Sequence, residues 1–402
     1  MRVTLFFLAS LAGCSDPDIR EGSGFEVLDS AGIVMATTSG TDARAATNWV
    51  IDTLPDLQIG AESGQAAYQF HNIGGMATDG DRIWVLDGGS REARIFDGSG
   101  GFQRSFGGRG DGPGEFRSPR MVRRLTTDTL IFLDHATRRF HVFSKMGELL
   151  TTSPSLQLAR VSPLAVGSVG GRVLLFDSGT LFIAPGGLDP PEKAIYYVVD
   201  ARAGTADTLG EFPGRQMWTD ARGEIKAVGS VPFDIRPSAA AGKQTFFITP
   251  GEGPEVLEFD TLGTLIRILR VDEPVRRVTK QDLDRFIEAR IAINGEEWAG
   301  YLRSGYEELP LTEIMPSFQS LLVDTEGWLW AQTYEPFRAI DDPAKWMVFE
   351  PGGMVCGTVR MPASLQIHQI GADFVLGLWR DDLDVQHLRR HQLVRRDCGA
   401  GR

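Results

Sequence analysis

The sequence predicts an all-β fold, a six-bladed β-propeller, and three observations lead to it. The chain has 402 residues, which exceeds the usual size of a single hydrophobic core and favours a fold built from repeats. It contains 47 glycines while 42% of its residues are hydrophobic, so it needs many turns and can still bury a core. A strand–loop–strand unit also recurs six times along it.

The repeated unit ends in a recognisable way. Its second β-run ends in an aromatic residue and then an acidic or polar one, and a glycine follows about three residues later. The six end positions, with their glycines, are Asp97 with Gly100, Ser144 with Gly147, Asp200 with Gly204, Asp260 with Gly263, Glu350 with Gly353 and Asp397 with Gly399. Successive end positions are 47, 56, 60, 90 and 47 residues apart, mostly the size of a four-stranded blade.

The long interval of 90 residues is explained by a helical insertion between blades 4 and 5. Thr279 and Asp282 form a helix N-terminal capping pattern, and Leu283, Ile287 and Ile291 fall on one helical face. We expect one or two amphipathic helices within residues 272–316, packed on the rim of the propeller.

Both ends of the chain are expected to close the ring, which spans residues 48–398. After Asp397 only five residues remain, so the last blade lacks an outer strand. The apolar segment from Trp49 to Leu54 precedes the first complete unit and supplies that strand, which removes an open sheet edge.

The N-terminus predicts export and a lipid anchor. Arg2 precedes an apolar run, residues 3–12, which is too short to span a bilayer and has the form of a signal-peptide core. The run ends in Leu-Ala-Gly-Cys14, which resembles the bacterial lipobox. We therefore interpret residues 1–13 as a lipoprotein signal peptide and residues 14–47 as an acylated Cys14 with a flexible tether. Ser15 after the cysteine favours the outer membrane, facing the periplasm, over the inner membrane.

Charge and cysteine content limit the function classes. The net charge of −12 excludes a general nucleic-acid binder, which needs a basic surface. Cys356 and Cys398 either pair in an oxidising compartment or remain two free thiols. No cysteine or histidine has metal-ligand spacing, so no metal or other cofactor is expected.

The segment Gly110–Pro119, followed by a β-run that ends at Asp134, resembles the NHL repeat. The whole chain, about residues 48–398, is similar to bacterial six-bladed propeller lipoproteins of the NHL type. This resemblance implies the fold and the compartment more firmly than any activity, because propellers host binding, scaffolding and catalysis.

Propeller enzymes such as lactonases and NHL-type lyases carry acidic, Asn or His metal ligands on their innermost strands. The innermost strands predicted here are residues 73–78, 120–125, 163–168, 227–233, 318–323 and 365–370. They carry His71 at an edge and His368, and acids only at strand ends, which is no complete ligand set. No GxSxG nucleophile motif is present either, so no catalytic residue is assigned.

One charge cluster stands out. Residues 91–124 contain eight arginines against four acidic residues. Guanidinium groups suit carboxylate or phosphate ligands, so we interpret Arg109, Arg117, Arg120 and Arg124 as a candidate anion site at the mouth near blades 1 and 2. On a regular strand Arg120 and Arg124 share one face and Arg123 takes the other. The alternative is that these arginines point to solvent or pair with neighbouring blades.

The sequence thus favours a non-enzymatic, envelope-anchored binding module. Its expected partners are the membrane, through Cys14, and an envelope protein, a peptide, a glycan or a small anion. The alternative is a propeller hydrolase or lyase of the lactonase or NHL-lyase kind.

Overall fold

The structure, a computed structural model, describes residues 24–45, 47, 49–158, 164–177, 187–188, 193–214, 217–220, 227–234, 238–251, 253–307, 309, 312–339 and 341–398. Cys14 and the predicted signal peptide lie outside these residues. Among the described residues, no helix has the length and apolar character needed to cross a bilayer.

Five short elements precede the first blade. They are the strands β1 (Phe25–Ser30) and β2 (Ile33–Ser39), the helix α1 (Gly40–Arg44), and the strands β3 (Val50–Ile51) and β4 (Leu57–Ile59). A 3-10 turn at Ala66–Tyr68 leads into the ring.

The ring consists of six blades, as the sequence predicts. Blade 1 is β5–β8 (Ile73–Thr78, Arg82–Asp87, Glu92–Asp97, Phe102–Gly107), and blade 2 is β9–β12 (Pro119–Arg124, Thr129–Asp134, Arg139–Ser144, Leu149–Thr152). Blade 3 is β13, β14, β16 and β17 (Leu164–Val169, Arg172–Asp177, Lys193–Val199, Ala206–Pro213). Blade 4 is β20–β23 (Ser238–Ala241, Thr245–Thr249, Glu255–Asp260, Leu265–Asp272). Blade 5 is β24–β27 (Phe318–Val323, Leu329–Thr333, Lys345–Phe349, Val355–Arg360), and blade 6 begins with β28–β30 (Gln366–Ile370, Phe374–Arg380, Gln386–Val394).

A small extra sheet lies outside the six blades. It contains β15 (Gly187–Leu188), β18 (Met217–Asp220) and β19 (Ala227–Ser230). The innermost strand predicted at residues 227–233 is therefore wrong, because the inner strand of blade 4 is β20, about ten residues later. The small sheet adds residues to the chain between blades 3 and 4, and the apolar run at β19 in this addition resembles an inner strand in sequence.

The tether predicted at residues 14–47 needs a correction where the structure describes it. β1 and β2 form a hairpin, and β2 pairs in parallel with β23, which extends blade 4 to six strands. Ala36 and Thr38 are fully buried, and the Thr38 hydroxyl accepts a hydrogen bond from the Val355 amide of blade 5. The polar, glycine-containing composition suggested a linker, but alternate residues of β2 pack against the ring.

The turn glycines follow the predicted geometry. Five of the six glycines that close the repeated unit have a positive φ, a conformation that strains any residue with a Cβ. They are Gly100 (90°), Gly147 (82°), Gly204 (71°), Gly263 (84°) and Gly353 (97°). Gly399 lies outside the described residues.

Two helices form the predicted insertion. α2 (Lys280–Asn294) starts at a capping box in which Thr279 and Asp282 bond each other's backbone amides, and α3 (Ala299–Glu307) follows a 3-10 turn at Glu296–Trp298. The insertion lies between β23 and β24, hence between blades 4 and 5 of the ring. If the sheets are numbered along the chain with the small sheet included, blades 4 and 5 are the fifth and sixth sheets.

The ring closes through the N-terminal strands. β3 pairs with Leu393 and Val394 of β30, and β4 pairs with residues 388–390 of the same strand. Trp49 packs against Trp328 and Trp330 of blade 5. The segment predicted to complete the last blade therefore does so.

Large apolar side chains fill the spaces between neighbouring blades. Trp84 of blade 1, for example, shares one cluster with Phe116, Phe132 and Phe143 around blade 2. Consecutive strands of a blade are antiparallel, so the turns between its first and second strands and between its third and fourth strands share one end. We call this end of the ring, which includes 125–128 and 242–244, the turn face. The other end, which holds the blade-to-blade segments 108–118 and 273–317, is the connection face.

Candidate functional site

A cavity of about 530 Å³ occupies the centre of the ring at the turn face. The first strands of all six blades contribute to its wall, from Met76 in blade 1 to Ile370 in blade 6. The turns at Thr126, Lys243 and Thr325 line it as well, which places its mouth on the turn face. Its size is in the range that holds small-molecule ligands, about 300 to 1,000 Å³.

Three cationic side chains line this cavity, namely Arg123, Arg124 and Lys243. Arg123 and Arg124 end the first strand of blade 2, and both retain partial solvent contact. Lys243 lies in the first turn of blade 4 and is exposed at the mouth. Among the described residues, none of the three has a carboxylate within 4.0 Å.

Arg123 is the most enclosed of these cations. It donates one hydrogen bond, of 2.9 Å, to the carbonyl oxygen of Val122. Protein atoms surround the guanidinium, and this burial lowers the pKa of Arg123. A guanidinium that is largely withdrawn from bulk water, with no carboxylate within 4.0 Å among the described residues, is costly, so Arg123 is a strong candidate for binding an anion.

His368 lies close to Arg123 in the same cavity. It is the extra residue of a β-bulge between Ile367 and Gln369, which re-aims its side chain. Burial and then the positive charge of Arg123 lower the pKa of His368 to about 3, so the imidazole is neutral near pH 7. Its Nε2 atom is buried and has no hydrogen-bond partner among the described residues.

The acidic side chain of the cavity wall is already neutralised. Asp324 accepts a 2.8 Å hydrogen bond from Nη2 of Arg395 and another of 2.8 Å from the indole of Trp330. The backbone amides of Glu326 and Trp328 donate to its other oxygen. The cavity therefore keeps a positive potential from Arg123, Arg124 and Lys243.

The wall near blades 6 and 1 is held rigidly. The side-chain Nε2 of Gln369 donates a 3.0 Å hydrogen bond to the backbone carbonyl of Thr78. The side-chain Oε1 of Gln369 accepts a 2.9 Å hydrogen bond from the backbone amide of Thr78. This two-way contact joins the inner strands of the last and first blades. It fixes the strand that carries His368.

The wall near blades 3 and 4 consists mostly of small residues, beside Val166 and the mouth residue Lys243. Gly167, Ser168 and the three alanines at 239–241 contribute to it, followed by Gly242. A Cβ on Gly167 would lie 2.8 Å from the Cβ of Ala241, so the glycine permits this close approach of two inner strands. Leu321, Leu322 and Val323 continue the same wall into blade 5.

The structure separates the four arginines predicted as an anion site. Arg124 lines the cavity, whereas Arg109, Arg117 and Arg120 are exposed and do not. Arg117 pairs with Asp111, with one contact of 2.7 Å, inside the glycine loop on the connection face. The predicted set is therefore wrong as a single site.

The physical reason for this correction is a register shift. β9 contains an irregularity at Arg120, between the pairs Met121–Leu133 and Pro119–Asp134. The simple alternation expected for Arg120 and Arg124 does not survive such a bulge. Sequence reasoning also missed Lys243 and the combination of Arg123 with His368, because strands far apart in the chain bring them together.

Two further expectations concern metals and cysteines. Among the described residues, no three His, Cys, Asp or Glu side chains are grouped so that they could hold a metal ion. His71 is largely exposed and lies 3.7 Å from the buried carboxylate of Asp87. Cys356 and Cys398 form a disulfide with a Cα–Cα distance of 5.2 Å, which decides between the two alternatives left open by the sequence.

No protein-family model matches the sequence, and no curated protein matches it. Solved structures do resemble the fold. A member of the DUF4221 family from Bacteroides vulgatus superposes with a TM-score of 0.50 at 8% identity, covering 87% of this chain and 99% of that one. A candidate exported protein from Bacteroides fragilis gives 0.48 at 11% identity, with 90% and 100% covered. A catalytically inactive virginiamycin B lyase from Staphylococcus aureus gives 0.41 at 8% identity, with 86% and 100% covered. At 8% identity, the likeness to the DUF4221 member shows the propeller fold alone.

Proposed function

We propose that this protein is a propeller binding module that holds a small anionic ligand in its central cavity. The observation that carries the proposal is Arg123, an enclosed guanidinium that faces the cavity without a carboxylate partner among the described residues. A bound carboxylate or phosphate would accept charge-assisted hydrogen bonds from it. Arg124 and Lys243 would attract such a ligand to the mouth.

The character of the cavity favours binding over hydrolysis or lysis. Its polar lining consists of three cations, a neutral histidine, an amide and the hydroxyl groups of four residues, namely Thr126, Thr127, Ser168 and Thr325. The carboxylate of Asp324 is engaged by Arg395 and Trp330. A general base or nucleophile would need a free carboxylate or a histidine that can take up a proton near pH 7. The low pKa of His368 makes it a poor base.

The test compares two arginines of the same strand by isothermal titration calorimetry with acetate and inorganic phosphate. We expect saturable binding of at least one anion, weakened about ten-fold or more in Arg123→Gln, because a charge-assisted hydrogen bond contributes about 1.5 to 3 kcal/mol. Arg120→Gln is the matched control, since Arg120 is exposed and outside the cavity. Equal affinities of the two variants, or no binding by the wild type, would contradict the proposal.

We further propose that the propeller is an NHL-type lipoprotein held at the cell envelope by an acylated Cys14. The sequence around Cys14 supports this, and the Cys356–Cys398 disulfide agrees with an oxidising compartment. Mass spectrometry of membrane-extracted protein should find acyl chains on Cys14, and Cys14→Ser should move the protein to the soluble fraction. An unmodified Cys14 in the membrane fraction would rule out the anchor.

A further inference from the structure

We propose that the ligand is an amphiphilic organic anion. Its charged group binds at Arg123, and its apolar part lies against the small and apolar residues that blades 3 to 5 contribute to the cavity wall. This inference rests on the proposed function and specifies its ligand class. It follows from the unequal walls of the cavity.

One side of the cavity offers charge and hydrogen bonds. Arg123 and His368 come from blades 2 and 6, and the buried Nε2 of His368 has no partner among the described residues. The neutral imidazole can form a hydrogen bond but adds no second positive charge at neutral pH. This side therefore fits one anionic group with a polar atom beside it.

Apart from Lys243 at the mouth and the engaged Asp324, the opposite side offers mainly small and apolar surface. Ser168 and the alanines at 239–241 leave room beside the channel, and Leu321, Leu322 and Val323 supply hydrocarbon. An inorganic anion or a sugar acid would leave this surface in contact with water or with hydroxyl groups. An alkyl or aryl group would cover it and gain hydrophobic free energy.

The inner strands of other blades carry larger side chains at the register position of Ser168. Ser168 is the second residue after the bulge of its inner strand, and the residues at the same register are Met76 in blade 1 and Val122 in blade 2. Both larger side chains are buried. Val122 packs in the apolar cluster of blades 1 and 2, whereas Met76 lines the cavity and shows that the fold holds a larger side chain at this position of the wall. Ser168→Met should therefore be accommodated by the fold while it reduces the room for an apolar group.

The experiment measures the affinity of the purified protein for acetate, butyrate, hexanoate and octanoate, with hexanamide as the neutral control. We expect affinity to rise about two- to four-fold for each added methylene until the cavity is filled, as burial of hydrocarbon requires. Hexanamide should bind far more weakly than hexanoate. Ser168→Met should keep the wild-type affinity for acetate and lose the dependence on chain length.

A melting-temperature measurement on Ser168→Met, together with the smaller Ser168→Val, separates loss of folding from loss of space. If all four acids bind equally and Arg123→Gln abolishes their binding, the inference is overturned while the proposed anion site stands. If neither these acids nor inorganic phosphate binds, both fall. If the dependence on chain length persists in both Ser168 variants, the apolar group does not lie where we place it, and the inference is likewise overturned.

Discussion

Arg123 and Arg117 belong to one charge cluster in the sequence, and their partners distinguish them in the structure. Arg117 is exposed and forms a two-point ion pair with Asp111, whose pKa it holds below the usual value. Arg123 is enclosed, and among the described residues its hydrogen-bond partner is the backbone carbonyl of Val122. A surface ion pair contributes little free energy, whereas an enclosed cation with no carboxylate nearby in the described part of the chain supports the proposed anion site.

His368 gives the protein a specific sensitivity to acid. Its pKa in the folded protein is about 3, against an ordinary value near 6.5, so between these two values only the unfolded chain takes up a proton. Stability should fall as the pH decreases through this window, by at most about 1.4 kcal/mol per pH unit from this group. We expect ligand-free His368→Gln to lose less stability than the wild type between pH 6.5 and 4.

The difference between the two denaturation curves isolates His368, because other titrating groups are common to both proteins. His141 and His391, whose pKa values burial also lowers, cancel in this comparison. Parallel curves for the wild type and His368→Gln would show that His368 is not buried in its neutral form.

Asp87 stabilises the connection into blade 1. Its buried carboxylate accepts hydrogen bonds from the amides of Asn72 and Gly89 and from Arg94 at 3.1 Å. Burial alone would raise the pKa of Asp87, but these hydrogen bonds outweigh it and the pKa is lowered. Asp87→Asn should destabilise the protein by about 3 to 5 kcal/mol, because it removes the buried, hydrogen-bonded counter-charge of Arg94 and leaves it the more exposed Glu92, at 4.0 Å.

Urea denaturation midpoints measure this effect, with Asp81→Asn as the control because Asp81 is exposed at a turn of the same blade. A change of less than about 1 kcal/mol in Asp87→Asn would contradict the assigned role.

At the scale of elements, the sequence predicts those that carry a local pattern, and it does not predict the strand β2, which joins blade 4 from outside the repeats. The capping residues and apolar face of α2, the turn glycines and the closing segment near Trp49 all carry short-range sequence signals, and the structure confirms them. β2 gives no such signal, because its burial depends on pairing with β23, more than 200 residues away. The cavity is hidden from sequence for the same reason: each blade contributes only two to five residues to it.

The α2 cap permits a local test. The Thr279 side chain accepts a hydrogen bond from the Asp282 amide at 3.2 Å, and Asp282 accepts one from the Thr279 amide at 3.0 Å. Thr279→Ala should cost about 1 kcal/mol, which corresponds to about five-fold faster hydrogen exchange in the first turns of α2. Thr53→Ala, at an exposed position distant in sequence, is the control. Unchanged exchange at residues 280–287 would show that tertiary packing alone holds the helix start.

At the scale of the whole molecule, the N-terminal segment and the cavity mouth lie at opposite ends of the ring. Phe25 pairs with Thr38, and β2 runs parallel to β23 towards Asp272, so the chain reaches the propeller at the connection face. The cavity opens at the turn face. If Cys14 is anchored as proposed, this arrangement leaves the mouth free for ligands from the aqueous compartment.

Two devices hold the last blade in the ring. β3 and β4 supply hydrogen bonds to β30, and the Cys356–Cys398 disulfide joins the outer strand of blade 5 to the chain beyond blade 6. The disulfide spans 42 residues, so β28, β29 and β30 of blade 6 lie inside one covalent loop. Cys356 is also buried beside Trp49, Trp330 and Trp346.

Removing this cross-link should destabilise the propeller without changing its fold. A loop of this length constrains the unfolded chain by about 4 kcal/mol, and the pairing of β3 and β4 with β30 remains when the cross-link is absent. We expect the double variant Cys356→Ala and Cys398→Ala to melt at a lower temperature than the oxidised wild type, and the reduced wild type to behave similarly. The variant should keep its β-sheet circular dichroism and its affinity for the anionic probe, since the cavity lies on the inner strands. An unchanged melting temperature would show that the disulfide adds no stability to the ring. Loss of the β-sheet signal would show that strand pairing cannot close the ring without the disulfide.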